Sequence, residues 1–223
     1  MVLLSFRSKA FSSGVIAALA FTLSTAALGP AFADDAPSVQ EIIEALKPRK
    51  TRGLSVKPTP AEIERAKTIE DLKSKAQSGG LSDPERQQLA EAASDKPSLD
   101  FVIYFDFGSA QISSRSRASL DALGAALQDD SLKGSSIMVA GHTDAKGGAD
   151  FNRGLSERRA QAVREYLHAK FGIDEGTVTV VGYGAEQLKD KAAPYASVNR
   201  RVQIVNLTDK TASARRPVSD QGP

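Results

Sequence analysis

Apolar and polar residues alternate most clearly near the middle of the chain, where residues 101–107 read Phe-Val-Ile-Tyr-Phe-Asp-Phe. In an extended backbone Phe101, Ile103, Phe105 and Phe107 share one face, as a half-buried strand requires. This alternation predicts a strand over residues 101–107.

Two helices and three further strands are predicted after it. Apolar residues at helical spacing predict a helix from about Ser113, and a second helix ends at Gly172, a residue type that commonly terminates helices. Short apolar runs predict strands at residues 137–140, 178–181 and 202–205. This order of elements predicts an α/β fold in the form of a two-layer α+β sandwich. In it, a mixed four-stranded sheet carries the helices packed on one face.

Residues 34–97 are polar and rich in Glu, Lys, Ser, Pro and Gly, with too few large apolar residues to form a core of their own. We predict a mostly disordered or short-helical linker. Capping-box patterns at Thr59 and Ser82 each predict the start of a short helix. An apolar stripe at residues 42–46 either docks on another surface or forms a transient helix in a tether, and we favour the second interpretation.

The N-terminus has the pattern of a secretory signal peptide. Arg7 and Lys9 precede an apolar stretch that ends in Ala-Phe-Ala, which predicts a signal over residues 1–33 with cleavage after Ala33. The alternative is a retained anchor, but the apolar run is shorter than the roughly 20 residues of a spanning helix. No transmembrane segment is predicted in the mature chain. Residues 209–223 are polar and are predicted to be a disordered tail.

Charge and composition exclude several classes of function. The chain has 29 Lys and Arg against 27 Asp and Glu, and Arg7 and Lys9 leave with the signal, so the mature chain is formally neutral. A neutral chain has no general field to attract nucleic acid or anionic lipid, so no nucleic-acid partner is expected. No cysteine and only two histidines are present, without a three-ligand zinc pattern. We therefore predict no metal, no cofactor, no catalytic residue and no enzymatic activity.

The densest group of charged and glycine residues is the stretch 141–160, which reads GHTDAKGGADFNRGLSERRA. Asp144 lies where a predicted strand ends. Asn152 or Ser156 is predicted to cap the second helix, and the free N–H groups at a helix N-terminus favour an anion.

Arg158 and Arg159 are predicted in or near the first turn of that helix, where the helix dipole disfavours a positive charge unless a negative ligand is present. A guanidinium can hold a carboxylate bidentately, and Asp144 can accept hydrogen bonds from an ammonium. Together they suit a zwitterionic amino-acid group, and in an exported bacterial-type protein this indicates the peptidoglycan stem peptide. Adjacent helical residues point about 100° apart, so only one of the two arginines can face Asp144.

Several motifs, in order and spacing, resemble the OmpA-like C-terminal domain, a family that includes the peptidoglycan-associated lipoproteins and the periplasmic part of the MotB flagellar stator. They are Phe105-Asp106-Phe107 with Ser109-Ala110; Gly141-His142-Thr143-Asp144 with Gly147, Asn152, Leu155-Ser156 and Arg159-Ala160; Gly182-Tyr183-Gly184; and Asn199-Arg200-Arg201-Val202. The resemblance implies a domain over residues 98–208 that binds peptidoglycan non-covalently through the meso-diaminopimelate of the stem peptide.

The resemblance also implies site residues. Asp144 and Arg159 are expected to hold the ammonium and the carboxylate of the ligand, and Asn152 to add a hydrogen bond. Weaker candidates are Thr143, Leu155 and Phe107 at the rim and Arg201 near the pocket. Within the Asn199-Arg200-Arg201 motif at least one residue is expected to be structural, either pairing with an acid at the sheet edge or fixing the loop.

We therefore expect a periplasmic protein, associated with the cell wall or the outer membrane, that tethers an envelope component to peptidoglycan. Residues 34–97 are a candidate contact for an outer-membrane or other envelope protein. The alternative is an OmpA-like structural docking module that does not bind peptidoglycan. An enzyme such as a wall hydrolase is a distant third interpretation, because the sequence has little acid–base machinery.

Overall fold

The structure is a computed structural model that describes residues 36–48, 58–105 and 108–208. These residues contain helices α1 (Val39–Leu46), α2 (Pro60–Ser78), α3 (Asp83–Ala92), α4 (Arg117–Leu127) and α5 (Ala149–Phe171), and strands β1 (Ser98–Phe101), β2 (Ile137–His142), β3 (Val178–Gly184) and β4 (Val202–Asn206). The predicted signal peptide, the predicted tail and Phe107 lie outside the described residues.

The four strands form one mixed sheet in the order β1-β4-β2-β3. Strands β2 and β3 are parallel, and β4 is antiparallel to both β1 and β2. The parallel pair is connected through α5, because parallel strands need a crossover rather than a tight turn. The predicted mixed four-stranded sheet is therefore confirmed.

Strand β1 begins and ends earlier than the alternation at residues 101–107 predicts. It pairs with β4 from Ser98, opposite Val205, to Phe101, opposite Val202, and Val202 is the first residue of β4. Among the described residues no strand pairs with the chain beyond Phe101, where an isolated bridge joins Phe105 and Ile112. The alternation reflects burial of apolar side chains, and it continues past the end of the hydrogen-bonded ladder.

One face of the sheet, here called the α5 face, is covered by α1, α4 and α5. Helix α5 contacts the sheet backbone directly at several glycines. A Cβ atom on Gly141 would lie 2.1 Å from the carbonyl oxygen of Ser156, and one on Gly182 would lie 2.6 Å from the backbone nitrogen of Glu157. Only glycine permits this approach, which sets α5 against the end of β2.

Helix α1 is part of this core. Ile42, Ile43 and Leu46 are buried among the side chains of α4 and the sheet. The side-chain amide of Asn206 in β4 donates to the carbonyl oxygen of Leu46 at 3.0 Å. The docking alternative for this apolar stripe is therefore the one that the structure supports.

The opposite face, here called the α3 face, is covered by α2 and α3. The two helices that follow β1 lie on one face as predicted, but alternate strand residues such as Met138, Val181 and Val205 make this second face apolar as well. An apolar face needs cover, and α2 and α3 supply it through Ile69 and Leu89, among others. Helices α2 and α3 therefore pack on the sheet through these side chains.

Both predicted capping boxes start helices. In α2 the Glu62 carboxylate accepts from the backbone N–H of Thr59 at 2.8 Å, and in α3 the Glu85 carboxylate accepts from that of Ser82 at 2.8 Å. Helix α2 is 19 residues long, longer than the predicted short helix, because Ile69 is buried against the sheet. Among the helices of the described ranges, none combines the length and apolar composition that crossing a membrane requires.

Candidate functional site

Residues 143–148, here called the Asp144 loop, connect β2 to α5 and are held from three sides. The backbone N–H of Thr143 donates to the Gly184 carbonyl oxygen at 2.8 Å, and that of Ala145 donates to the Pro194 carbonyl oxygen at 3.0 Å. The buried side chain of Asn152 donates to the carbonyl oxygen of Lys146 at 3.1 Å. These contacts fix the loop before any ligand arrives.

The Asp144 carboxylate is oriented by two partners. Its Oδ1 atom accepts from the backbone N–H of Lys146 at 3.1 Å, and its Oδ2 atom forms an ion pair with Nη1 of Arg200 at 2.7 Å. The side chain of Asp144 is only 14% exposed, whereas that of Arg200 is 48% exposed. The acid is therefore recessed, and the arginine above it is accessible to solvent.

The guanidinium of Arg159 lies in the same site. Its Nε atom donates to the carbonyl oxygen of Ser109 at 3.0 Å, and its central carbon lies 4.8 Å from the centroid of the Phe105 ring. Burial and the positive charge of Arg200 lower the pKa of Arg159, whereas the nearby Asp144 carboxylate raises it. An arginine remains protonated at neutral pH despite such a shift. The structure thus brings Asp144 and Arg159 together.

Arg158 points elsewhere. It is exposed, and its Nη1 atom lies along the helix beside Gly154. Its neighbour Arg159 is half-buried, so the two arginines, left equivalent by spacing alone, are separated by their position on the helix. Of the two, Arg159 faces the Asp144 loop.

The predicted start of the second helix is wrong. Helix α5 begins at Ala149 with Gly148 as its N-cap, so Asn152 and Ser156 lie inside the helix and do not cap it. An ion pair between Asp150 in the first turn and Arg153 one turn later supports this earlier start. Arg159 therefore lies in the third turn, and its position does not depend on the dipole at the helix N-terminus.

The other predicted site residues in the described ranges are buried rather than exposed at a rim. Asn152 uses its amide group to hold the loop, as described above. Thr143 and Leu155 are buried, and the hydroxyl of Thr143 has no hydrogen-bond partner among the described residues. Phe107 lies outside the described residues.

Arg201 does not join Asp144 and Arg159. Its Nε atom lies 3.3 Å from Oδ1 of Asp100 in β1, on the α3 face. Successive residues of an extended chain point to opposite faces, so Arg200 points to the α5 face and reaches Asp144. Arg200 was not among the predicted site residues. The alternation of side-chain directions leading into β4 could have distinguished it from Arg201, because adjacent residues point to opposite faces of the sheet.

Asn199 fixes the loop before β4. Its side-chain amide donates to the carbonyl oxygens of Ala193 and Pro194 at 3.0 and 3.2 Å, and its Oδ1 atom accepts from the backbone N–H of Asp190 at 2.9 Å. Because the Pro194 carbonyl also holds the Asp144 loop, Asn199 supports the site indirectly. The expected structural role within this motif is seen both here and in the pairing of Arg201 with Asp100.

Two exposed aromatic side chains flank the Asp144 loop. Phe151, 57% exposed, packs its ring against Gly147, and Tyr195, 70% exposed, directly follows Pro194. Large apolar side chains at such exposure are candidates for contact with a partner. Sequence reasoning missed both, because the apolar pattern around them is too short to distinguish surface from core.

In a comparison with known protein families, residues 104–215 match the model described as the OmpA family. Outer membrane porin F of Pseudomonas aeruginosa is 37% identical over 103 residues, covering 45% of this chain and 29% of the porin. The peptidoglycan-associated lipoprotein of Pasteurella multocida is 38% identical over 106 residues, covering 46% of this chain and 68% of the lipoprotein.

Among solved structures, an outer membrane protein of Borrelia burgdorferi is similar at 30% identity and a TM-score of 0.40, covering 51% of this chain and 92% of that protein. The chain spans less than half the length of the first curated relatives that it matches, between 29% and 46% of them.

Proposed function

Because the chain belongs to the OmpA family, we propose that it binds peptidoglycan non-covalently through the meso-diaminopimelate of the stem peptide and anchors an envelope component to the wall. The single observation that carries this proposal is the meeting of Asp144 and Arg159 in one recessed site. We propose a binding module and not an enzyme.

The chain is a cell-envelope protein, associated with the periplasm, the cell wall or the outer membrane, as its relatives are. The names of those relatives describe outer membrane proteins and a peptidoglycan-associated lipoprotein. In such a protein a fixed polymer with free amino-acid groups is an accessible ligand.

The charges of the site match one end of diaminopimelate, where an ammonium and a carboxylate share a carbon atom. Asp144 would accept hydrogen bonds from the ammonium, and the guanidinium of Arg159 would hold the carboxylate. Arg200 occupies Asp144 in the free protein, so the ammonium would displace it. Its half-exposed side chain can swing into solvent with little loss.

The proposal is tested by sedimentation of the full chain with insoluble diaminopimelate-type sacculi. We expect Asp144→Asn and Arg159→Gln to weaken binding, because each leaves a ligand charge unpaired in a partly desolvated site, at a cost of about 2 to 5 kcal/mol. Arg158→Gln is the matched control and should bind like the wild type. Thermal unfolding confirms that each variant is folded, and unchanged binding of both site variants would contradict the assignment.

Chemical changes to the ligand separate this function from its alternatives. Amidating the carboxylate of diaminopimelate, or replacing diaminopimelate by lysine, removes the group that Arg159 is proposed to hold, so binding should fall. If the folded wild-type chain does not sediment with sacculi, the result would instead favour the structural docking module. Release of soluble fragments from sacculi would favour an enzyme.

The exposed aromatics give a second contact for the same polymer. We propose that Phe151 and Tyr195 pack on the neutral part of the wall beside the stem peptide, because apolar rings next to a charged site suit a ligand that is charged at one end only. Phe151→Ala is expected to weaken binding to sacculi about five-fold and to leave binding of a free stem tripeptide unchanged. Equal losses for both ligands would instead point to damage to the Asp144 loop.

A further inference from the structure

The guanidinium of Arg159 is held from outside its own helix. Its Nε atom donates to the carbonyl oxygen of Ser109 at 3.0 Å, and its central carbon lies over the ring of Phe105, 4.8 Å from the ring centroid. Both partners belong to the chain between β1 and α4, here called the Phe105 segment (residues 105 and 108–112). Two contacts from a separate part of the chain therefore orient a side chain that α5 carries.

The Phe105 segment is itself fixed in place. Phe105 forms an isolated bridge with Ile112, and its side chain packs against the core of the α5 face. The hydroxyl of Ser109 accepts a hydrogen bond from the backbone N–H of Gln111 at 2.9 Å. A support that is already ordered suits a binding group that must be presented in one direction.

These contacts determine which edge of the Arg159 guanidinium is free. A guanidinium can hold a carboxylate through two parallel hydrogen bonds, either at the edge that includes Nε or at the edge formed by Nη1 and Nη2. The Nε atom is already bonded to Ser109. Among the described residues no hydrogen bond or ion pair joins either Nη atom to the protein, and neither is a buried atom, so both retain contact with solvent. The Nη1–Nη2 edge is therefore the one available to a ligand.

The surrounding charges do not orient Arg159 by themselves. Burial, and then the positive charge of Arg200, lower the pKa of Arg159, Asp144 acts in the opposite direction, and Arg158 lowers it further. The Asp144 carboxylate pairs directly with Arg200 and not with Arg159. Repulsion between the like charges favours conformations in which Arg159 turns away, so a contact that attracts the guanidinium is needed to keep it in the site.

We propose that Phe105 is a positioning residue of the peptidoglycan site and that, with Ser109, it presents the Nη1–Nη2 edge of Arg159 to the ligand carboxylate. This inference rests on the proposed function and adds to it the edge that binds and the residue that orients it. An aromatic ring attracts a cation without using any of its hydrogen-bond donors, so the ring restrains the side chain and leaves both Nη groups free.

The test is an NMR titration of the ¹⁵N-labelled full chain with two peptides. One is the stem tripeptide that ends in diaminopimelate, and the other is the same tripeptide amidated at the side-chain carboxylate. The ratio of their dissociation constants measures what the carboxylate contributes to binding. We expect Phe105→Leu to weaken binding of the first peptide about five-fold, the effect of one cation–π contact, and to leave binding of the amidated peptide unchanged.

The Nε–H signal of Arg159 reports the orientation of the guanidinium before any ligand is added. The Phe105 ring should displace this signal, and the hydrogen bond to Ser109 should slow exchange of the proton with water. Arg159→Lys removes the signal and so assigns it. In Phe105→Leu we expect the ring-dependent displacement to be lost and the exchange to become faster.

Phe171→Leu is the matched control for loss of packing. Phe171 is also a partly buried phenylalanine of the α5-face core, and a lysine lies near its ring in place of Arg159. This variant should keep both the ratio of dissociation constants and the Nε–H signal. Phe105→Tyr retains the aromatic face and should restore most of the ratio that Phe105→Leu loses.

Two outcomes in Phe105→Leu would overturn the proposal. Equal losses for the two peptides would show general damage to the site, and an unchanged ratio would show that Arg159 presents its Nη atoms without the ring. A wild-type chain that binds neither peptide would instead contradict the proposed wall binding. In that case the Nε–H signal of the free protein still decides whether Phe105 orients Arg159.

Discussion

The two faces of the sheet are built differently. On the α5 face, helix and strand backbones touch at Gly141 and the interior is filled by aliphatic side chains. On the α3 face, His142, Tyr183 and Arg201 bring polar atoms into the interior, several of them without partners in the described residues, and a cavity remains beside them. One sheet therefore carries a tightly packed layer and a looser, polar one.

The difference explains where the charged site stands. Tight packing on the α5 face fixes α5 and hence the direction of Arg159, while the Asp144 loop at the end of β2 is held by backbone hydrogen bonds. A site that must hold two opposite charges benefits from such rigid support. The looser face leaves room for its side chains to adjust.

The largest expected effect tests the tight packing. Gly141→Ala places a methyl group against the backbone of Ser156, and overpacking of this kind costs about 3 kcal/mol. On the other face Ala90→Leu adds three carbon atoms beside a cavity and should change stability by less than about 1 kcal/mol. Urea unfolding of both variants checks this, and equal costs would contradict the proposed difference between the faces.

The next effect is a dependence of stability on pH that arises on the α3 face. Burial, and then the positive charge of Arg201, lower the pKa of His142 to about 3, although Asp100 acts in the opposite direction. The folded state therefore resists protonation while the unfolded chain, with an ordinary value near 6.5, accepts it, so stability is lost as pH falls below about 6.5. Between pH 6.5 and pH 5 the loss is about 2 kcal/mol.

Urea unfolding at these two pH values measures the loss. His142→Phe retains a ring that can stack on Tyr183 and should remove about 2 kcal/mol of the pH dependence. His168→Gln, at an exposed position, is the control and should retain it. An unchanged pH profile in His142→Phe would show that His142 does not carry the effect.

The smallest effects separate two neighbouring arginines. Arg201→Gln removes a buried partner of the partly exposed Asp100 and should cost about 1 to 2 kcal/mol of stability without changing wall binding. Arg200→Gln should change stability by less than about 0.5 kcal/mol. It should also strengthen binding to sacculi about two-fold, because the ligand ammonium no longer competes with Arg200 for Asp144. If Arg200→Gln instead lowered stability and Arg201→Gln instead changed wall binding, the roles given to the two faces would be reversed.

Much of the fold follows from apolar periodicity. The sheet, the helices after Ser113 and the stop at Gly172 are predicted, because burial on one face leaves a regular pattern and a left-handed residue at a helix end favours glycine. The end of β1 is not predictable in this way. It depends on where β4 stops offering a partner, which is a property of a strand about a hundred residues later.

The site is predicted in part. The proximity of Asp144 to Arg159 of α5 follows from local spacing together with the family motifs. The start of α5 at Ala149 does not, because glycine at position 148 replaces the expected polar cap. The docking of α1 was also not favoured by sequence. The three apolar residues of α1 lie in a polar segment, so the sequence alone does not indicate the surface of α4 and the sheet on which they pack. The role of each predicted site residue in holding a ligand stays a prediction.

His142 illustrates why buried polar residues are hard to predict from sequence. His142 directly precedes the Asp144 loop in the sequence, but it is the last residue of β2. Its ring stacks on Tyr183 at 5.4 Å, and neither ring nitrogen has a partner among the described residues. The alternation of strand faces places its ring on the α3 face, next to Tyr183 and near the charge of Arg201.

The contact between Asp144 and Arg200 has one more consequence. Because Arg200 already pairs with Asp144, the proposed ligand would exchange one cation for another at this carboxylate instead of removing water from an unpaired acid. In this proposal release would be equally easy, because Arg200 would return to Asp144 as the ligand ammonium leaves. An anchor that binds reversibly in this way would remain attached to peptidoglycan that is continually cleaved and resynthesised, because it could release one strand and bind another.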